Sequence, residues 1–163
     1  MRRFTIILAL LAVAAISPSA ALGKAKGTDR PSSGKSTSTT TVDLATGTGS
    51  VAGSGQLSHI GRFTFTNDIT SFTLTGPDTF TLTLTAIIVA ANGDEIYTTA
   101  TATGTLTSTG SEATLVSTIT GGTGRFADAS GTITTQISSE IVSTFGTTLT
   151  THDTEIHTGR ISY

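Results

Sequence analysis

The strictest pattern in the chain covers residues 79–88, TFTLTLTAII, where Phe80, Leu82, Leu84, Ala86 and Ile88 alternate with Thr79, Thr81, Thr83, Thr85 and Ile87. A period of two sends successive side chains to opposite faces, so this segment predicts a strand with one buried and one solvated face. Asn92-Gly93-Asp94 then supplies residues that tolerate positive φ, and Ile96, Ala100, Ala102, Gly104 and Leu106 resume the alternation. The two halves read as a long hairpin. Similar patterns occur at 56–66, 69–75, 113–120, 132–142 and 147–162, with a weaker one at 36–42. Helical periodicity of useful length is missing. The pattern therefore predicts an all-β domain of about eight antiparallel strands. Small inward residues such as Ala100, Ala102 and Gly104 suit a tightly curved wall, and closing a sheet removes its exposed edges, so an antiparallel β-barrel is preferred to a sandwich.

Composition explains what the outer faces are made of. The 163 residues include 38 threonines, and threonine is β-branched and fits a pleated surface. There is no cysteine, which excludes a disulfide framework, a thiolate metal site and a cysteine nucleophile. Charge is divided unevenly along the chain. Residues 1–21 combine Met1-Arg2-Arg3, an apolar run over residues 4–16 and small residues at Ser19-Ala20-Ala21. That run is too short to span a bilayer, which takes about 20 residues, and reads as a signal peptide cleaved near Ala21. The product is expected to be secreted or periplasmic, with no membrane span. Residues 22–36 read as a flexible basic linker carrying Lys24, Lys26, Arg30 and Lys35. The barrel domain is then expected over 37–163, where three arginines face ten acids for a net charge of −7. Such a surface does not suit nucleic acid, whose binding needs bases to displace phosphate counterions.

One segment is more specific than composition. Val116 to Ile133 reads VSTITGGTGRFADASGTI: a strand, then Gly121-Gly122-Thr123-Gly124-Arg125-Phe126, a turn of small residues, Gly131 and a further strand. This segment resembles the signature of the allene oxide cyclase and dirigent proteins, which share an eight-stranded antiparallel barrel. The hairpin at Ala91-Asn92-Gly93-Asp94 and the stretch His59-Ile60-Gly61-Arg62-Phe63 are similar to features of the same families. The closer likeness is to secreted bacterial barrels of the cyclase type. The resemblance covers roughly residues 56–133 and implies the barrel; physically, the glycines suit a tight turn and Phe126 is expected to plug one end of the barrel. The resemblance does not carry catalysis across: Ser130 stands where the dirigent motif has arginine, and the N-terminal regions that hold part of the plant active sites have no counterpart.

Candidate chemistry is sparse. If 56–66 is one unbulged strand, His59 shares the interior side with Leu57, Phe63 and Phe65, and is the candidate ligand-binding residue or base. The densest ionisable cluster is His152-Asp153-Thr154-Glu155-Ile156-His157. Asp153, Glu155 and His157 share one strand face, read as a solvated outer face; without a separated third or fourth ligand, no metal site is assigned. Asp68, Asp78, Asp94 and Glu112 flank turn-forming residues and are expected to bond their own backbone. Gly121-Gly122-Thr123-Gly124 leads into a strand and lacks the lysine of a phosphate loop. No cofactor is expected. The leading expectation is a non-catalytic binding module for a small apolar ligand in the barrel mouth. The alternatives are an isomerase or cyclase on such a ligand, and a hydroxyl-rich surface that binds polysaccharide. An interior filled by Phe80, Leu82, Leu84 and Phe126 would leave the first two no room.

Overall fold

A computed structural model describes residues 27–163; the expected signal peptide, 1–21, and the start of the expected linker, 22–26, lie outside the described residues. Eight strands follow in chain order: β1 (Arg30–Asp43), β2 (Thr48–Leu57), β3 (Gly61–Leu74), β4 (Thr79–Ala90), β5 (Glu95–Leu106), β6 (Gly110–Gly122), β7 (Ser130–Phe145) and β8 (Thr148–Ser162). Each pairs antiparallel with the next, and β8 returns to pair with β1, so the sheet is a closed barrel. The one helical element among the described residues is a 3-10 turn, Gly124–Phe126.

The alternating pattern places the core as expected in β4 and β5, where Phe80, Leu84, Ala86, Ile96, Ala100 and Ala102 are buried. Their outward neighbours form a threonine ladder across the hairpin, with Thr79 opposite Thr105, Thr81 opposite Thr103, Thr83 opposite Thr101 and Thr85 opposite Thr99. Lipid-facing barrels carry an apolar outer band instead. No helix among the described residues is long and apolar enough to cross a membrane.

Two expected boundaries are corrected. β1 starts at Arg30, so residues 30–36 belong to the barrel and are not linker. Its buried residues there are Ser32 and Ser36, which is why hydrophobicity did not reveal the strand; pairing with β8 from Arg30 onward satisfies the backbone. With Arg30 and Lys35 included, five bases face ten acids, and the barrel carries −5 rather than −7. Residues 56–66 are likewise not one strand: β2 ends at Leu57, a turn occupies 58–60, and β3 begins at Gly61. β2 itself, TGSVAGSGQL, went unpredicted because Gly53 and Gly55 interrupt its apolar face. The volume comes from across the sheet: Gly53 pairs with Phe65, and a Cβ on Gly53 would lie 2.5 Å from the Phe65 ring.

The two ends of the barrel differ. At the end holding the turns 58–60, 91–94 and 123–129, Phe126 is fully buried among Ile60, Ile96, Ile119 and Ile161, and its ring meets Tyr163 edge-on at 5.0 Å. Arg125 covers this plug, stacking 4.5 Å over Phe126 and donating to the Ile60 carbonyl at 3.0 Å. Gly124 has φ +53, and a Cβ there would collide with the Asp94 carboxylate, so glycine is required by both backbone and neighbour. Phe126 thus plugs this end of the barrel, as expected from its place after the glycine-rich turn. The opposite end, with turns 44–47, 75–78, 107–109 and 146–147, has no such plug. Leu44, Leu74, Val142 and Phe145 are exposed around it.

Candidate functional site

The polar interior is built by β8 and its two neighbours. Thr151, Asp153, Glu155 and His157 alternate inward along β8 and are buried. β1 sets Ser36 opposite Glu155 and Ser38 opposite Asp153, while β7 sets Thr135 opposite His157. Asp153 accepts hydrogen bonds from the Thr151 hydroxyl at 2.7 Å and the Thr40 hydroxyl at 2.5 Å, with Ser38 Oγ 3.2 Å away. Ser38 donates to Glu155 Oε1 at 2.7 Å and Ser36 to Oε2 at 2.5 Å. Ser36 Oγ also lies 2.7 Å from His157 Nε2, and Thr135 Oγ1 lies 2.8 Å from Nδ1. With Glu155 ionised, the single Ser36 hydrogen goes to its carboxylate, so Nε2 carries the imidazole proton and Nδ1 accepts from Thr135.

Burial governs the protonation of this array. It pushes Glu155 above the usual carboxyl range, against the lowering effect of Ser36 and Ser38 and with the neighbouring Asp153 adding to the rise. It also lowers His157 to about 4, so the imidazole is neutral at pH 7.

Two cavities flank Glu155. The upper one, about 100 Å³, lies towards the unplugged end, with walls that include Val42, Ile69, Phe80, Leu84 and Leu115. The inward residues nearest the rim, Phe72, Leu82, Leu106 and Leu149, are half-buried rather than buried, so the cavity communicates with solvent there. The lower one, about 60 Å³, lies above the Phe126 plug between Phe63, Phe65, Ile96 and Ile133. Asn67, Leu84 and Glu155 line both and form the partition. Asn67 is buried, and its Oδ1 has no hydrogen-bond partner.

The interior is therefore not completely filled by Phe80, Leu82, Leu84 and Phe126. Nor does it hold His59. That residue sits exposed in the turn before β3 with φ 71, donates from Nε2 to the Pro31 carbonyl at 3.0 Å, and lines neither cavity. The interior assignment fails because the chain turns at 58–60 instead of continuing as a strand. The face of the 152–157 cluster is also corrected. Asp153, Glu155 and His157 point inward, and His152, Thr154 and Ile156 point out. Both faces of this segment are polar, so alternation alone did not orient it. Parity held the signal: Leu149 and Ile161 fall on the same face as the acids, against Ile156 alone on the other.

Among the described residues no group of three or more acidic or imidazole side chains is arranged to hold a metal ion. The Ser36–His157 contact has the length of a nucleophile–base pair, yet Ser36 lines neither cavity. Its hydroxyl instead clamps the imidazole to Glu155. No protein family, curated protein or solved structure matches the chain.

Proposed function

We propose that this is an exported barrel that binds a small, mainly apolar ligand through its open end without transforming it. The observation that carries this reading is the upper cavity, apolar on most of its wall and opening opposite a plugged end. Its volume decides the ligand size. A dry cavity of roughly 150 Å³ accepts benzene, whereas drug-sized ligands occupy roughly 300–1,000 Å³. At about 100 Å³ the chamber encloses a body of about four heavy atoms, or part of a somewhat larger molecule that projects through the open end. Export rests on the apolar run and small residues of 1–21. The resemblance of residues 116–133 to cyclase-type barrels agrees with an interior site.

Filling the chamber tests this reading. Ala102 lines the upper cavity and is buried, so Ala102→Leu should abolish binding of small cyclic hydrocarbons, followed by NMR titration, while the barrel stays folded. Wild-type protein that shows no saturable shifts with any of them overturns the proposal.

An isomerase or cyclase reading has one observation in its favour. Glu155, whose pKa is raised by burial, faces both cavities as an acid or base would need to. Turnover of a bound ligand by wild type and not by Glu155→Gln, with binding retained, would establish it. The ladder of paired threonines on β4 and β5 favours a polysaccharide-binding surface; unchanged binding to polysaccharide after Thr83→Val and Thr101→Val would remove that reading.

A further inference from the structure

The polar groups lining the upper cavity are unbalanced in charge. Asp153, Glu155 and Asn67 all contribute to its wall, and no lysine, arginine or histidine does. The hydroxyls that reach the carboxylates belong to Ser36, Ser38, Thr40 and Thr151, so the two acids are solvated by neutral dipoles and have no counter-cation in contact apart from His157. That imidazole is 3.6 Å from Glu155 and is held neutral by burial. Independently, Asn67 Oδ1 is a buried acceptor without a donor, on a side chain that is 9% exposed and faces the same chamber. An unpaired buried acceptor is destabilising, and two buried acids side by side are best answered by a cation placed against them.

We infer that the ligand of the upper cavity is a small amine, its ammonium group received by Asp153, Glu155 and Asn67 and its apolar body lying against Ile69, Phe80 and Leu115. This rests on the cavity-binding reading and specifies its ligand class. An ammonium group has three hydrogens, a positive charge and no acceptor, so it complements two carboxyl groups without a counter-cation and one acceptor without a donor in a way that a neutral alcohol, with one hydrogen, does not. The body size follows from the chamber. The acidic barrel, five bases against ten acids, also attracts cations to its surface.

The test compares probes of equal heavy-atom count on the full chain at pH 7 by NMR titration: cyclopentylamine, cyclopentanol, methylcyclopentane and cyclopropanecarboxylate. The amine should bind at least tenfold more tightly than the other three, and Asn67→Leu should weaken it severalfold while leaving methylcyclopentane unchanged or tighter. Asp153→Asn should remove most of the preference; if that variant does not fold, the probe series on wild type decides alone. Equal or better binding of the alcohol or the hydrocarbon overturns the amine assignment and leaves the cavity reading standing. Preference for the carboxylate overturns the amine assignment too. Binding of none of the four overturns both.

Discussion

His157 shows how a single residue ties the interior to solution conditions. Burial lowers its pKa from 6.5 to about 4, so between those values the unfolded chain takes up a proton that the folded barrel refuses. The stability contributed by the neutral imidazole is complete above pH 6.5 and is lost as pH falls towards 4, an effect of up to about 3 kcal/mol. Glu155 works in the opposite sense. Its folded pKa lies above 4.5, so its contribution is greatest in acid and declines as pH rises from 4.5 through the raised value. Urea midpoints measured across this range should therefore fall with acid in the wild type less steeply than His157 alone would dictate. His157→Gln, which keeps a side-chain amide between Ser36 and Thr135, should remove the acid-induced fall. A midpoint that still drops as in wild type would assign the effect to another group. At this scale the sequence was only half legible. It showed which residues of 152–157 share a face, but not that the shared face is the inside. That depended on β1, whose Ser36, Ser38 and Thr40 donate to the acids, and on β7, whose Thr135 bonds His157.

At the scale of the element, the two ends of the barrel predict opposite responses to losing a phenylalanine. The turn that carries Phe126 is anchored by Gly124, Arg125 and Asp94, and the ring is enclosed. Phe126→Ala should cost about 3–5 kcal/mol and open the lower cavity, read as a lowered denaturant midpoint. Phe145 lies at the end of β7, beyond the last residue that β6 pairs with, Glu140, and is 88% exposed. Phe145→Ser should change stability by no more than about 0.5 kcal/mol. Equal losses in the two variants would contradict the assignment of plugged and open ends. The plug was legible beforehand because Gly-Gly-Thr-Gly-Arg-Phe is a distinctive string. β2 was not legible, because a strand whose inward positions are Val51, Gly53, Gly55 and Leu57 borrows its packing from Phe63 and Phe65 across the sheet.

For the whole molecule, closure is the decisive fact. β1 and β8 are separated by more than 100 residues in the chain, yet they share a register from Arg30 opposite Ile161 to Asp43 opposite Thr148. A variant beginning at residue 37 keeps all of the domain that alternation identified but loses half of β1, including Ser36 and the stretch Gly34–Ser36 that pairs with both neighbours. It should lose cooperative unfolding by circular dichroism, whereas a variant beginning at residue 28 should retain it; a cooperative 37–163 fragment would show that closure is dispensable. The amino-acid sequence by itself determined the β class, the threonine exterior and the glycine-rich plug, because period-two alternation and turn residues are local; it did not determine the strands themselves, since β2 was hidden and the single β3 read as two patterns. Only the tertiary structure decided where β1 begins, which face of β8 is buried, and that Asp153, Glu155 and Asn67 line one cavity. Those depend on register between strands distant in sequence, where a serine opposite an acid turns a polar segment into an interior one.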